Sequence, residues 1–146
     1  MSLLIQRLGY AGIVPFVVLA LLLWLVREPQ PAAWLSIALA GYAACVASFL
    51  GAIHWGAAFS LTDTEDARLL AFQKRHILWG VTPTLLSWIA LLMPAYAGLP
   101  LLGLILVACY LVDRQLYPNL WRPWLTLRFR LTVAAVLSCL IGAAGI

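Results

Sequence analysis

The sequence predicts an all-α protein: a polytopic membrane bundle of five transmembrane helices, with its N-terminus in the cytoplasm. Three observations predict it. Of 146 residues, 65% are hydrophobic and only 10% charged, whereas a soluble domain carries about 25% charged residues. Five apolar runs, near 8–26, 33–61, 77–93, 101–117 and 128–146, are long enough to span a hydrocarbon core about 30 Å thick. Threaded across a bilayer, these runs put Arg7, Arg68, Lys74, Arg75, Arg114, Arg122, Arg128 and Arg130 on one side and only Arg27 on the other. Basic residues mark the cytoplasmic side, so the N-terminus is placed there and the C-terminus opposite. The net charge of +4 follows from this topology rather than from a nucleic-acid partner. There is room for one bundle over residues 1–146 and for no separate soluble domain.

The first run has one Arg7 before it and no small-x-small cleavage site after it, so it reads as a retained helix rather than a signal peptide. Pro15, after Gly12, should kink it by freeing a backbone carbonyl. The second run is the central helix. Ala40, Ala44, Ser48, Ala52 and Gly56 make one ridge of small residues; Ala43, Ala47, Gly51 and Ala58 make another beside His54. Small ridges let helix backbones approach closely in lipid, so this helix should have neighbours on two faces. The polar stretch after it begins with Thr62-x-x-Glu65, a capping-box pattern, and ends in Lys74 and Arg75, which predicts a short interfacial helix over about 64–75. The third run repeats the first one's Gly-x-x-Pro in Gly80-Val81-Thr82-Pro83, with Thr84 and Ser87 available to groups freed at the kink. Residues 94–100 read as a tight turn. The fourth run is apolar until Asp113-Arg114. Tyr117, Trp121, Arg122 and Trp124 then form an aromatic and basic belt suited to headgroups, and the fifth run follows.

Depth and direction together bring chemistry into one layer. His54 lies near the cytoplasmic end of the second helix, Pro83 near the start of the third, Pro15 at a matching depth in the first, and Asp113 about one turn from the end of the fourth. Arg130 and Thr132, Tyr10 and Trp79 reach the same layer. An ionisable side chain inside a membrane helix costs about 2.5–3.5 kcal/mol on insertion scales, so it has a reason to be there. One reason is a cavity open to the cytoplasm, floored by His54 and Asp113, walled by Tyr10, Trp55, Trp79 and Trp88, with Arg130 at hand. Such a site suits a quinone, a tetrapyrrole or a lipid. The plainer readings are that Asp113 pairs with Arg130 or Arg114, that His54 takes a carbonyl freed at Pro15 or Pro83, that His76 faces the interface, and that the tryptophans belong to belts and packing. Cys45, Cys109 and Cys139 each lie inside an apolar run and read as small buried hydrophobes. Two histidines without a second carboxylate at their depth do not make a metal set. A second axial ligand for haem is missing, and no nucleophile–base pair, phosphate loop or nucleotide fingerprint occurs. No catalytic residue is assigned.

Four elements in order, Leu8-Gly9-Tyr10-x-Gly12-x-x-Pro15-Phe16, Ser48-Phe49-Leu50-Gly51-x-x-His54-Trp55-Gly56, Leu78-Trp79-Gly80-x-x-Pro83 and Leu111-Val112-Asp113, resemble the DUF3429 family of small integral membrane proteins, the family that includes transmembrane protein 69 of mitochondria. The resemblance spans nearly the whole chain, and Gly-x-x-His-Trp-Gly is its most specific part. It implies a helical protein of the bacterial inner membrane or a related organelle membrane and no agreed activity. The helix and tryptophan counts are also similar to those of tryptophan-rich sensory proteins, in size and composition alone. The expectation is therefore a non-enzymatic multi-pass protein of the bacterial cytoplasmic membrane. Its partners are the bilayer and a hydrophobic or amphipathic small molecule. An assembly or scaffold subunit, docking on a membrane protein or on its own copy, is the alternative, and an enzyme or proton-coupled transporter using His54 and Asp113 the third reading.

Overall fold

Proline and glycine place the first joint. In the computed structural model, which describes residues 2–60, 65–116 and 122–146 (Arg122 by its backbone alone), the first apolar run is two helices rather than one kinked at Pro15. They are α1 (Leu3–Ala11), capped where the Leu4 amide donates to Ser2 Oγ at 3.2 Å, and α2 (Val14–Leu25). The break falls at Gly12 and Ile13. Pro15 stands in the first turn of α2, where its missing N–H costs nothing. The Gly12 carbonyl, outside both helical ladders, accepts the Tyr42 hydroxyl at 2.7 Å from the next helix. Tyr42, not His54, therefore satisfies the group freed at this joint. Tyr42→Phe should lower stability by about 1 kcal/mol, the net worth of one hydrogen bond, read as a modest fall in the melting temperature of the detergent-solubilised protein.

The remaining helices are α3 (Pro29–Phe59), α4 (Ala67–Leu92), α5 (Ala95–Leu116) and α6 (Arg122–Ala144), and no strand occurs among the described residues. Each differs from its expected bounds in an informative way. α3 begins about a turn early because Pro29 and Pro31 suit a first turn. The interfacial helix expected at 64–75 is not separate: its described part is continuous with the third run as α4, whose start Asp66 caps by accepting the Arg68 amide at 2.9 Å. Thr62 of the expected capping box lies outside the described residues, as do residues 117–121 of the expected belt. The turn expected at 94–100 is confined to Met93 and Pro94, and Pro100 lies within α5. α6 starts six residues ahead of the expected 128, with Pro123 in its first turn.

α3 is the hub, packing against α2, α4, α5 and α6. Its face of Ala43, Ala47, Gly51, His54 and Ala58 is buried throughout, whereas the other small ridge is buried only at Ala40 and Ala44 and runs out to exposed Ala52 and Gly56. Against the first face lies the α4 stripe of His76, Gly80, Pro83, Ser87 and Ala90, at alternating spacings of four and three. Thr82 Oγ1 donates to the Leu78 carbonyl at 2.9 Å on the turn carrying Pro83, whereas Thr84 is exposed and Ser87 Oγ makes no hydrogen bond among the described residues. Many large apolar side chains point outward, Leu25, Trp34, Ile37, Phe49 and Leu92 among them, while the interior mixes Phe16, Leu39, Leu99, Leu102 and Leu106 with alanine and glycine. An apolar exterior of this kind suits a lipid surround, where close packing rather than burial from water joins the helices.

Four spans, α1 with α2, α3, α5 and α6, are long and apolar enough to cross a membrane. α4 does not reach that measure, because its first turns carry Arg68, Lys74, Arg75 and His76 and leave only a short apolar remainder. Together the four spans describe a multi-pass membrane protein.

Candidate functional site

The ends of α3 and α5 and the starts of α4 and α6 meet at one end of the bundle, and the ionisable residues collect there. His54 is five residues from the end of α3, Asp113 three from the end of α5 and Arg128 six into α6. At 1.5 Å per residue these offsets place all three within about 5–9 Å of the helix ends. His54 Nε2 lies 2.6 Å from Asp113 Oδ1, and Arg128 Nη2 lies 2.8 Å from Asp113 Oδ2. All three are buried, with exposures of 1%, 6% and 3% in the order His54, Asp113, Arg128. Asp113 therefore bridges an imidazole and a guanidinium, one carboxylate oxygen to each. The ionised carboxylate is acceptor-only, which assigns the proton of this hydrogen bond to Nε2.

His76 continues the cluster. It is fully buried rather than facing the interface, its ring centroid 5.3 Å from that of His54 and 3.7 Å from that of Phe72. Its Nδ1 lies 2.8 Å from the Phe72 carbonyl, so Nδ1 is the donor. Cys109 lies buried one helical turn before Asp113, and among the described residues no three His, Cys, Asp or Glu side chains group as a metal site.

The other residues singled out from the sequence lie elsewhere. Arg130 is exposed and does not pair with Asp113; its Nη1 donates to the Tyr10 hydroxyl at 3.3 Å, and both line a shallow recess between α1 and α6 with Gln6, Pro123, Thr126 and Leu127. Arg114 is exposed as well. Trp55 Nε1 donates to the Ile77 carbonyl at 3.1 Å and so staples α3 to α4. Trp79 is half-buried against the core, and its Nε1 has no hydrogen-bond partner among the described residues. Trp88 is exposed on α4. The structure thus joins His54 to Asp113 but does not gather Tyr10, Trp55, Trp79, Trp88 and Arg130 around them.

The cavity is on the far side of Arg128. A space of about 500 Å3 lies between α1, α2, α3 and α6, closed from within by Leu106 of α5. Its walls include Ile13, Phe16, Val46, Leu50, Leu131 and Ala135, and exposed Leu8 and Phe49 stand at its mouth, facing out of the bundle between α1 and α3. None of the seven residues expected to line a site lines this one. Its polar wall is Arg128 and Thr132, one turn apart on α6, with Trp124 one turn earlier and 6.0 Å beneath the guanidinium. Arg128 is the residue that sequence reasoning missed. Its placement at a helix start followed from starting the fifth helix at 128; the signal available was Pro123, a first-turn residue that sets the start about two turns earlier and carries Arg128 inward.

No solved structure matches the chain. Transmembrane protein 69 of Xenopus tropicalis is 33% identical to it over 140 residues, which cover 93% of this chain and 51% of that protein; the chain spans about half the length of this relative. The profile of DUF3429, described as a protein of unknown function, matches residues 1–144, and by that match the chain belongs to the DUF3429 family.

Proposed function

We propose that the protein binds a hydrophobic or amphipathic small molecule, of the class of quinones, tetrapyrroles or lipids, in the cavity between α1, α2, α3 and α6, within the cytoplasmic half of a bacterial inner membrane. The carrying observation is the cavity itself: about 500 Å3, apolar on nearly every wall, with a mouth at exposed Leu8 and Phe49. That size falls in the range of small-molecule sites, roughly 300–1,000 Å3, which are likewise mostly apolar with a few placed polar groups. The excess of basic residues at the end where the cavity lies supports the cytoplasmic orientation. Assembly through α3 is the second reading. It is favoured by the exposed half of the small-residue ridge, where a side chain added at Gly56 would meet nothing within 4 Å; crosslinking in native membranes that returns only monomer disposes of it.

Cys45 provides the test, because it is exposed on the cavity wall while Cys109 and Cys139 are buried. Protein extracted in native lipid should carry a copurifying molecule by mass spectrometry, and Cys45 should react slowly with a lipophilic maleimide. Ala135→Phe, which fills the cavity from α6, should abolish the extra mass; stripping the wild type with detergent should free Cys45. No bound molecule in the native extract, with Cys45 equally reactive before and after stripping, sinks the reading.

A further inference from the structure

The geometry points to the recess between α1 and α6 as a site for the phosphate of an anionic phospholipid, held by the Arg130 guanidinium and the Tyr10 hydroxyl. This site does not rest on the cavity, with which it shares no lining residue. Arg130 stands about 12 Å along the α6 axis from Arg122, inside a span apolar enough to cross a membrane. It is exposed there, always charged, and makes no ion pair among the described residues. A charge in a membrane span is costly unless it is paired or reaches the interface. Arg128, two residues earlier, has Asp113; no acidic side chain among the described residues lines the recess at Arg130. Its counter-charge therefore has to come from outside the chain. Helical side chains lean towards the N-terminus of their helix, which for α6 is the end where the basic residues collect. Thr126 and Pro123, earlier on α6, line the same recess, so the recess leads from Arg130 towards the headgroups.

The donors of the recess come from both helices. Arg130 Nη1 donates to the Tyr10 oxygen at 3.3 Å. That uses one of the guanidinium's five N–H groups and leaves the phenol's own proton without an acceptor among the described residues. Gln6, half-buried on α1 one turn before Tyr10, adds a side-chain amide to the same wall. Arg7, exposed one turn before Tyr10, adds positive charge beside it. A phosphate has oxygens enough to take the guanidinium fork and the phenol O–H together, whereas an ester or hydroxyl head leaves the charge unmatched. Leu127 and Pro123 offer apolar surface to the first carbons of the tails. A phosphate held in this way joins α1 to α6. That junction is otherwise slight: no residue of α1 is buried, α6 is the helix it chiefly packs on, and the break at Gly12 and Ile13 parts it from α2.

The experiment titrates detergent-stripped protein with dioleoyl phosphatidylglycerol, dioleoyl phosphatidylcholine, dioleoylglycerol and inorganic phosphate, read by native mass spectrometry and by hydrogen exchange of the α1 amides. Phosphatidylglycerol should bind about tenfold more tightly than dioleoylglycerol, which lacks the phosphate. It should bind about threefold more tightly than phosphatidylcholine, whose choline cation meets Arg130 and Arg7. Its binding should slow exchange in α1 about threefold. Arg130→Gln should remove the preference over dioleoylglycerol. Tyr10→Phe, which keeps the ring and loses the O–H, should cut it about threefold. Both residues are exposed, so both variants should fold. Ala135→Phe, which fills the cavity, should leave the preference in place. Equal affinity for phosphatidylglycerol and dioleoylglycerol, or a preference that survives Arg130→Gln, overturns the site. Equal affinity for the two phospholipids overturns the anionic class. Unchanged exchange in α1 overturns the bridge to α6. A preference lost in Ala135→Phe moves the lipid to the cavity and overturns the recess. Displacement of the lipid by inorganic phosphate makes the occupant free phosphate and overturns the headgroup; a lipid that stays bound supports it.

Discussion

Asp113→Ala should cost about 3–5 kcal/mol of stability, the loss typical of breaking a buried ion pair from one side. The reason lies in what stays behind. Arg128 is 3% exposed and cannot be deprotonated, so without Asp113 its charge is left inside the bundle with an imidazole that has lost the same acceptor. The pair itself is weak support for the fold, since desolvating two charges offsets most of their attraction. A second variant separates these statements. Asp113→Leu with Arg128→Met removes both charges at similar volume and should recover most of the loss, or exceed wild type. His54→Ala removes one hydrogen-bond partner of Asp113 and leaves the Arg128 pair in place, so it should cost less, about 1–3 kcal/mol. Chemical unfolding in mixed micelles gives all three numbers. If Asp113→Ala and the double variant lose equally, the stranded-charge account fails.

Much of this cluster was legible in the sequence. His54 and Asp113 stand out because each interrupts an apolar run, and the helical rise, applied from the nearest polar boundary, puts them at one depth without any knowledge of packing. Their side chains are in fact 2.6 Å apart. Arg128 was not legible by the same route, because depth is counted from a helix end and the end of α6 was set too late. Basic residues near a boundary default to the headgroups, and Arg114 and Arg130, both exposed, obey that default while Arg128 does not. Rotation around the helix axis decides the difference, and α6, whose polar residues are spread around its axis, carries almost no rotational signal. The same limit hid the cavity. Depth placed Tyr10, Trp55, Trp79 and Trp88 near His54, but Trp88 is exposed on α4 and Tyr10 turns to Arg130. The small residues were more informative than the aromatics, because an alanine or glycine stripe marks contact directly. Of the two stripes on α3, the one containing His54 is the buried one, joined to α4.

That contact yields the other large effect: Gly80→Ala should destabilise the protein by about 3 kcal/mol, at the upper end for an overpacked core. A Cβ at Gly80 would fall 2.3 Å from Trp55 Cδ1 and 2.9 Å from the Gly51 carbonyl oxygen, and one at Gly51 would fall 2.4 Å from the Gly80 carbonyl oxygen. The two backbones touch, so neither side chain can be accommodated by a rotamer change alone; α4 must move away from α3. Moving it also disrupts the Trp55 hydrogen bond to Ile77 and the approach of His76 to His54. Gly51→Ala should act alike, and the pair of substitutions together should cost less than their sum, because the first already separates the helices. Gly41 and Gly56, where an added Cβ meets nothing within 4 Å, are the controls, and alanine there should be neutral or stabilise by up to about 1 kcal/mol. The cavity has no wall from α4, so its occupancy per folded molecule should survive Gly80→Ala even as the melting temperature falls. Ala135→Phe should do the reverse, emptying the cavity while leaving the α3–α4 seam intact. If Gly80→Ala empties the cavity as well, the seam and the site are one cooperative unit, and the division of α3 into a packing face and a binding face is mistaken.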